Sequence, residues 1–383
     1  MLKRRNLFSL TVWACVILTT ACSGTTTDTA ATDADTAATG GELGGTLRLL
    51  TWEGYAPDEL IAKFEEETGV DVEVTYIADN GEIISKLKAT GGEGYDLAAP
   101  SVDNVKLAQE QFDIYQPIDT SRIENPEVLV QSLAEKVAEY STVDGEVYSV
   151  PAVWGTDGLI VNTAEAPEAK SYKDLCDPQF AGRVTYRSRF PTFAGAMLAL
   201  GYDPFKFSLE EPENVDGWRA MMEEAYTYLV DCKSNVKTYW TSRQENIDLM
   251  AKGETYLSQG WDGTGWVLSQ ENPDIKFIAP AEGALGWVDT FTIPAGAENL
   301  DAVYAFINFM YRPENAGELT KGGGFLSPVK GSTDYWPEEI KVLVEESFPE
   351  SALDNIQWYA PRPAAFDEVV NEYVEKLQVA EAN

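Results

Sequence analysis

The chain has 383 residues, of which 63 are acidic, 28 basic and none histidine, for a formal net charge of −35. A field of that sign repels nucleic acid and anionic membrane surfaces, so neither is expected as a partner, and most of the surface carboxylate is read as serving solubility. The absence of histidine excludes imidazole acid–base catalysis and nucleophile–histidine pairs.

At the N-terminus, Lys3, Arg4 and Arg5 precede an apolar run from Leu7 to Leu18 that is too short to span a bilayer and fits a signal peptide. It ends in Leu18-Thr19-Thr20-Ala21-Cys22, which looks like a bacterial lipobox, although Leu18 stands one place further from Cys22 than usual. Residues 1–22 are therefore expected to be a lipoprotein signal and Cys22 the lipidated residue, with the membrane reached through that anchor only. Residues 23–45 are almost all small or polar and have nothing to bury, so a flexible tether is expected.

The remainder is longer than one core usually organises, so two domains are expected. Thr46–Trp52 reads as a strand and residues 57–68 as a helix closed by Gly69. Val70–Ile77 reads as a second strand, residues 83–89 as a helix and residues 95–99 as a third strand, which together imply a parallel sheet with crossover helices. Between Tyr148 and Asn162 an apolar segment crosses a proline and two glycines, the expected passage from one domain to the next. Strands are expected at 182–186, 254–260, 275–279 and 286–294, the last as the return crossing. Helices are expected at 193–200, 217–230, 300–311 and within 361–379. Gly322-Gly323-Gly324 is read as a turn after a helix. Cys176 and Cys232 are the two cysteines of the body; in an oxidising exterior a disulfide between them is expected, and two lone cysteines without histidine do not make a zinc site.

No nucleophile elbow, phosphate-binding loop or dinucleotide fingerprint is present, so no enzyme and no cofactor are expected. What stands out is aromatic. Of ten tryptophans, Trp52, Trp261 and Trp287 stand at expected strand ends, the latter two beside or near Asp262 and Asp289. Ligands of open α/β sheets bind outside the carboxyl ends of strands, and aromatic faces with a carboxylate among them suit a cation.

These segments resemble the bacterial spermidine/putrescine-binding proteins of ABC importers, within the extracellular solute-binding proteins. The resemblance is carried by LRLLTWEGY at 47–55, FEEETGVDVEVTY at 64–76, YDLAAPS at 95–101, VPAVWGTDGLIVN at 150–162, GWVDTFTIP at 286–294 and FINFMYRP at 306–313. It implies an α/β protein of two doubly wound lobes joined by crossing strands, with residues 46–152 and 286–325 in one lobe and 153–285 and 326–383 in the other. It further implies a monomer that closes over a small-molecule ligand and docks on the permease and ATPase of an importer. A binding protein that signals without transport is the alternative. Trp52, Tyr55, Ser101, Trp261, Trp287 and Asp289 fall on positions that line the family's polyamine cleft. This chain departs at Gly54, at Tyr186-Arg187-Ser188-Arg189, which replaces an acidic stretch, and at Phe325, which stands for a tyrosine. Two expectations follow. Either an amine sits by Trp52, Trp287 and Asp289 while Arg187, with Ser188 beside it, grips an anionic group, which makes the ligand a zwitterion. Or both arginines point outward and Glu53, Asp103 or Asp262 receives a second amine of a polyamine.

Overall fold

The computed structural model describes residues 43–348 and 350–381, so the expected signal peptide, Cys22 and nearly all of the tether lie outside the described residues. Strand β1 (Thr46–Trp52) alternates Leu47 and Leu49 into a core that also holds Phe64 and Leu60. Helix α1 (Asp58–Thr68) presents those two residues and ends at Gly69, whose φ of 71° lets its N–H reach back to the Glu65 carbonyl. Strand β2 (Asp71–Ile77), helix α2 (Asn80–Thr90) and the two-residue β3 (Leu97–Ala98) complete a parallel sheet of order β2–β1–β3. The strand–helix alternation therefore gives the expected topology. β2 is an edge strand, which is why Tyr76 in its apolar alternation stays 48% exposed.

Helix α3 (Val102–Phe112) and β4 (Tyr115–Gln116) follow, then a small hairpin of β5 (Thr142–Val143) and β6 (Glu146–Val147). Strand β7 (Val150–Asn162) then runs unbroken for 13 residues. Its first part, Val150, Ala152 and Val153, packs with Leu47 and Phe64, whereas Leu159 and Val161 pack in a second core with Phe193 and Met222. The chain then forms β8 (Val184–Arg187), β9 (Val236–Trp240), β10 (Leu257–Trp261) and β11 (Ile275–Ile278). The return strand β12 (Leu285–Phe291) pairs antiparallel with β7 and crosses the opposite way, with Leu285 and Val288 in the second core and Phe291 in the first. β13 (Ile293–Pro294) pairs with β4, and β14 (Gln357–Trp358) adds to β12. The large sheet has the order β14–β12–β7–β10–β8–β9 with β11 on β7. The protein is thus a two-lobed α/β molecule whose two largest apolar cores are bridged by β7 and β12. Because β7 is covered on both faces, nearly every residue of it is buried, which explains the continuous apolar run.

Cys176 and Cys232 are joined as a disulfide, between a 3₁₀ turn and the end of the helix Val215–Asp231. Two local expectations are corrected. Gly322 and Gly323 belong to the helix Pro313–Gly323, and only Gly324, at φ 70°, terminates it. The second is an omission: no helix is expected after the strand at 254–260, yet the helix Asp262–Glu271 starts directly at the end of β10. The small residues Gly263, Thr264 and Gly265 carry no apolar periodicity and hide that start from sequence reading. Among the described residues no helix is long and apolar enough to cross a membrane.

Candidate ligand cleft

The carboxyl ends of β1, β8, β9 and β10 converge where β7 and β12 pass between the two cores. Trp52 closes β1, and its indole N–H donates to the Ala99 carbonyl at 2.8 Å, which fixes the ring beside β3. Directly after Gly54 in the turn, the buried Tyr55 donates its hydroxyl to a carboxylate oxygen of Asp289 on β12. Ser101 bridges to Asp289 through the backbone, donates its hydroxyl to the Val288 carbonyl at 3.5 Å and stands close enough to favour the ionised Asp289 carboxylate. Phe325 packs edge-on against Tyr55 with ring centroids 4.7 Å apart. Trp287 lies two residues before Asp289 on the same face of β12, and its ring covers Gly155 of β7, where any Cβ would collide with it. Its indole nitrogen is buried with no partner among the described residues.

Asp289 is only 6% exposed, and burial pushes its carboxyl up to about 7. The nearby charge of Asp103 acts in the same direction, while Tyr55 and Ser101 oppose it. None of the groups that perturb Asp289 is a cation. A buried ionised carboxylate without a positive partner is costly, so this group is poised to receive one.

The second lobe contributes a different environment. Trp240 and Trp261, at the ends of β9 and β10, meet edge-to-face at 5.2 Å. The Arg187 guanidinium lies 4.6 Å from the Trp261 ring centroid and 5.5 Å from that of Trp240. Arg187 therefore turns toward the aromatic residues of the cleft, whereas Arg189 is exposed. Asp157, from the middle of β7, lies close enough to feel that charge; burial still pushes its carboxyl up to about 6, and the Tyr359 hydroxyl donates to it at 3.4 Å. Asp262 heads its helix and accepts from the Thr156 N–H at 2.8 Å, the Thr156 hydroxyl at 3.1 Å and the Gly263 N–H at 2.7 Å. Even so, burial raises it to about 7, with Asp157 adding to the shift.

The remaining expected residues are placed elsewhere. Asp103 does not offer a free carboxylate, because Arg362 donates to it from Nε at 2.7 Å. The Arg362 N–H also donates to the Asp103 carbonyl at 3.1 Å, so α3 is held directly to the segment before the C-terminal helix. Ser188 accepts from Gln378 of that helix at 3.2 Å, and Glu53 is exposed on the turn after β1. Sequence reading missed Asp157, Tyr359, Trp240, Arg362 and Arg243; the last donates to the Gly263 carbonyl at 2.9 Å and lies 6.0 Å from the Phe325 ring centroid. A lone aspartate inside the apolar run of β7 was the one available signal among them. Among the described residues no acidic or cysteine cluster could hold a metal ion. The arrangement sets aromatic faces beside buried carboxylates, a chemistry that suits a cation.

Residues 59–345 match the family model of the bacterial extracellular solute-binding protein. The chain belongs to that family. Over 329 residues, 82% of this chain and 86% of the relative, it is 29% identical to the spermidine/putrescine-binding periplasmic protein 1 of Haemophilus influenzae. It is 27% identical over 340 residues to the spermidine/putrescine-binding periplasmic protein of Escherichia coli, covering 87% of this chain and 91% of that one. The fold is similar to the crystal structure of the TpPotD lipoprotein of Treponema pallidum, with a TM-score of 0.73 and 25% identity over 87% of this chain and 99% of that one. The two crossing strands and the facing aromatic and acidic residues thus sit in a solute-binding protein.

Proposed function

We propose that this protein captures a polyamine or related short amine between its lobes and delivers it to the permease and ATPase of an ABC importer. It does so as a monomer tethered outside the cell by lipid at Cys22. The single observation that carries the ligand class is Asp289, a buried carboxylate with a hydroxyl donor, Trp287 two residues before it on the same strand and no cation among the groups that perturb it. An ammonium group supplies the missing charge, and its hydrogen-bond donors suit an oxygen already oriented by Tyr55. The relatives named for spermidine and putrescine support the same class.

Ligand contact with both lobes at once stabilises the closed form, and β7 and β12 are the natural pivot because they are the strands shared by the two cores. We set the lobe boundaries at 152/153 in β7, at 285/286 in β12 and at 325/326. No covalent step is involved, and binding energy is used only for capture and closure.

The test is a thermal-shift screen of the purified protein with putrescine, spermidine, betaine and 4-aminobutanoate. A ligand that binds the native state alone raises the melting temperature, with a stabilisation that grows as the logarithm of one plus its free concentration over Kd. A concentration-dependent rise with amines supports the reading; no rise with any amine at millimolar concentration rejects it.

A further inference from the structure

We propose that Arg187 sets the length of ligand this cleft accepts, by placing a built-in cation on the aromatic seat formed by Trp240 and Trp261. The inference rests on the amine reading of the Asp289 end. With that seat taken, the cleft selects a short diamine over a longer triamine.

The position of Arg187 is fixed by the sheet. It is the last residue of β8, in register with Trp240 of β9, and its carbonyl accepts from the Thr192 hydroxyl and the Arg189 N–H. The guanidinium then lies over Trp261 at 4.6 Å, within the range of an attractive contact between a cation and a ring face. The charged and polar groups that face it come from four elements: Asp157 on β7, Tyr359 after β14, Asp79 at the start of α2 and Arg189 beyond β8. Asp79 stands in the segment before α2, and its charge reaches the guanidinium, whose position is fixed by the rings of Trp240 and Trp261. Among the described residues no hydrogen bond to a carboxylate holds it.

Two consequences follow from this geometry. A second ammonium reaching for the same ring would meet a like charge at contact distance, with Asp157 already within the field of the arginine. An anionic ligand group is no better placed, because Asp157, raised only to about 6, is largely ionised at neutral pH and already stands beside the guanidinium. The guanidinium therefore acts as a tethered substitute for one end of a polyamine. The cleft left over is shorter by that end.

The experiment is calorimetric titration of the full-length wild type, Arg187→Ala and Arg187→Gln with putrescine, spermidine and 4-aminobutanoate. The wild type is expected to prefer putrescine, and both variants to raise spermidine affinity relative to putrescine by about tenfold. Putrescine binding retained by either variant shows that it is folded. A ratio that moves less than about twofold in both variants, or loss of putrescine binding in both, overturns the role of Arg187 while leaving the amine reading in place. Binding of 4-aminobutanoate by the wild type that the variants lose overturns it too, since the guanidinium would then read an anion. If no form binds any amine, the functional reading itself falls and this inference with it.

Discussion

Asp289→Asn separates the two effects that meet at one carboxylate. The amide keeps the shape of the side chain and an oxygen for the Tyr55 hydroxyl, but removes the charge. In the empty protein burial raises the Asp289 carboxyl from 3.8 to about 7, a difference equivalent to about 4 kcal/mol against the ionised form at neutral pH. The sign follows from the direction of the shift. Stability associated with this group is fully present below its unfolded value and is lost as pH rises through about 7. The variant is therefore expected to melt higher than the empty wild type at about pH 8, with the difference closing toward about pH 4.

Ligand binding moves the other way. Removing one member of a buried, hydrogen-bonded charge pair costs about 2–5 kcal/mol, so amine affinity should fall on the order of a hundredfold or more. The assay pairs calorimetric titration of the amine with melting curves of the empty protein at both pH values. A Kd within about threefold of wild type removes Asp289 from the site. A variant that melts below the wild type at about pH 8 without ligand refutes the claim that its charge is uncompensated.

Three further outcomes are expected. Arg362→Ala breaks the contact between Asp103 of α3 and the C-terminal segment, leaving a buried carboxylate unpaired; amine affinity should drop about tenfold by calorimetry if this pair helps hold the lobes together, and unchanged affinity would assign it to local stability alone. Reduction of Cys176–Cys232, which are 56 residues apart, should lower stability by about 4 kcal/mol on the chain-entropy account, seen as a lower urea midpoint. Amine affinity should not change on reduction, because Cys232 precedes the amino end of β9 and the cleft lies at its carboxyl end. Gly155→Ala forces the Trp287 ring off β7; a stability loss of about 1–3 kcal/mol together with weakened amine binding is expected, and a neutral result would show that the ring has room to move.

The parts of the fold that were legible in the sequence are those with local causes. β1 shows its alternation, Gly69 marks the end of α1, and the crossing strand betrays itself as an apolar run too long and too glycine-punctuated for one layer. The aromatic residues at strand ends were legible for the same reason, since the sheet topology sends its carboxyl ends to one place. Pairings across the molecule were not. Asp103 and Arg362 are 259 residues apart, and nothing near either announces the other. The direction of Arg187 was equally hidden, because it depends on where β9 and β10 bring Trp240 and Trp261 after folding. Asp157 is intermediate: an acid within VPAVWGTDGLIVN needs a reason, but the reason, proximity to Arg187 and Tyr359, exists only in three dimensions.

Three of the buried carboxylates, Asp157, Asp262 and Asp289, also make a prediction about pH that no single substitution tests. Asp289 and Asp262 are pushed up to about 7 and Asp157 to about 6, in each case chiefly by burial. In the empty protein a fraction of these groups carries a proton near neutrality. An ammonium ligand favours the ionised form of every carboxylate it approaches, so binding must expel those protons. Affinity should therefore rise with pH, by up to tenfold per unit for each carboxylate engaged, and level off above about pH 8 while the amine itself stays protonated to near pH 10. With Asp157 already beside Arg187, the slope should reflect Asp289 first and Asp262 second. Titrations in buffers of different ionisation enthalpy count the protons released directly. An affinity that is flat between about pH 5.5 and pH 8, with no protons released, would mean that the ligand never touches these acids. The negative charge that matters to such a protein would then lie on its surface, where salt screens it, and not in the cleft.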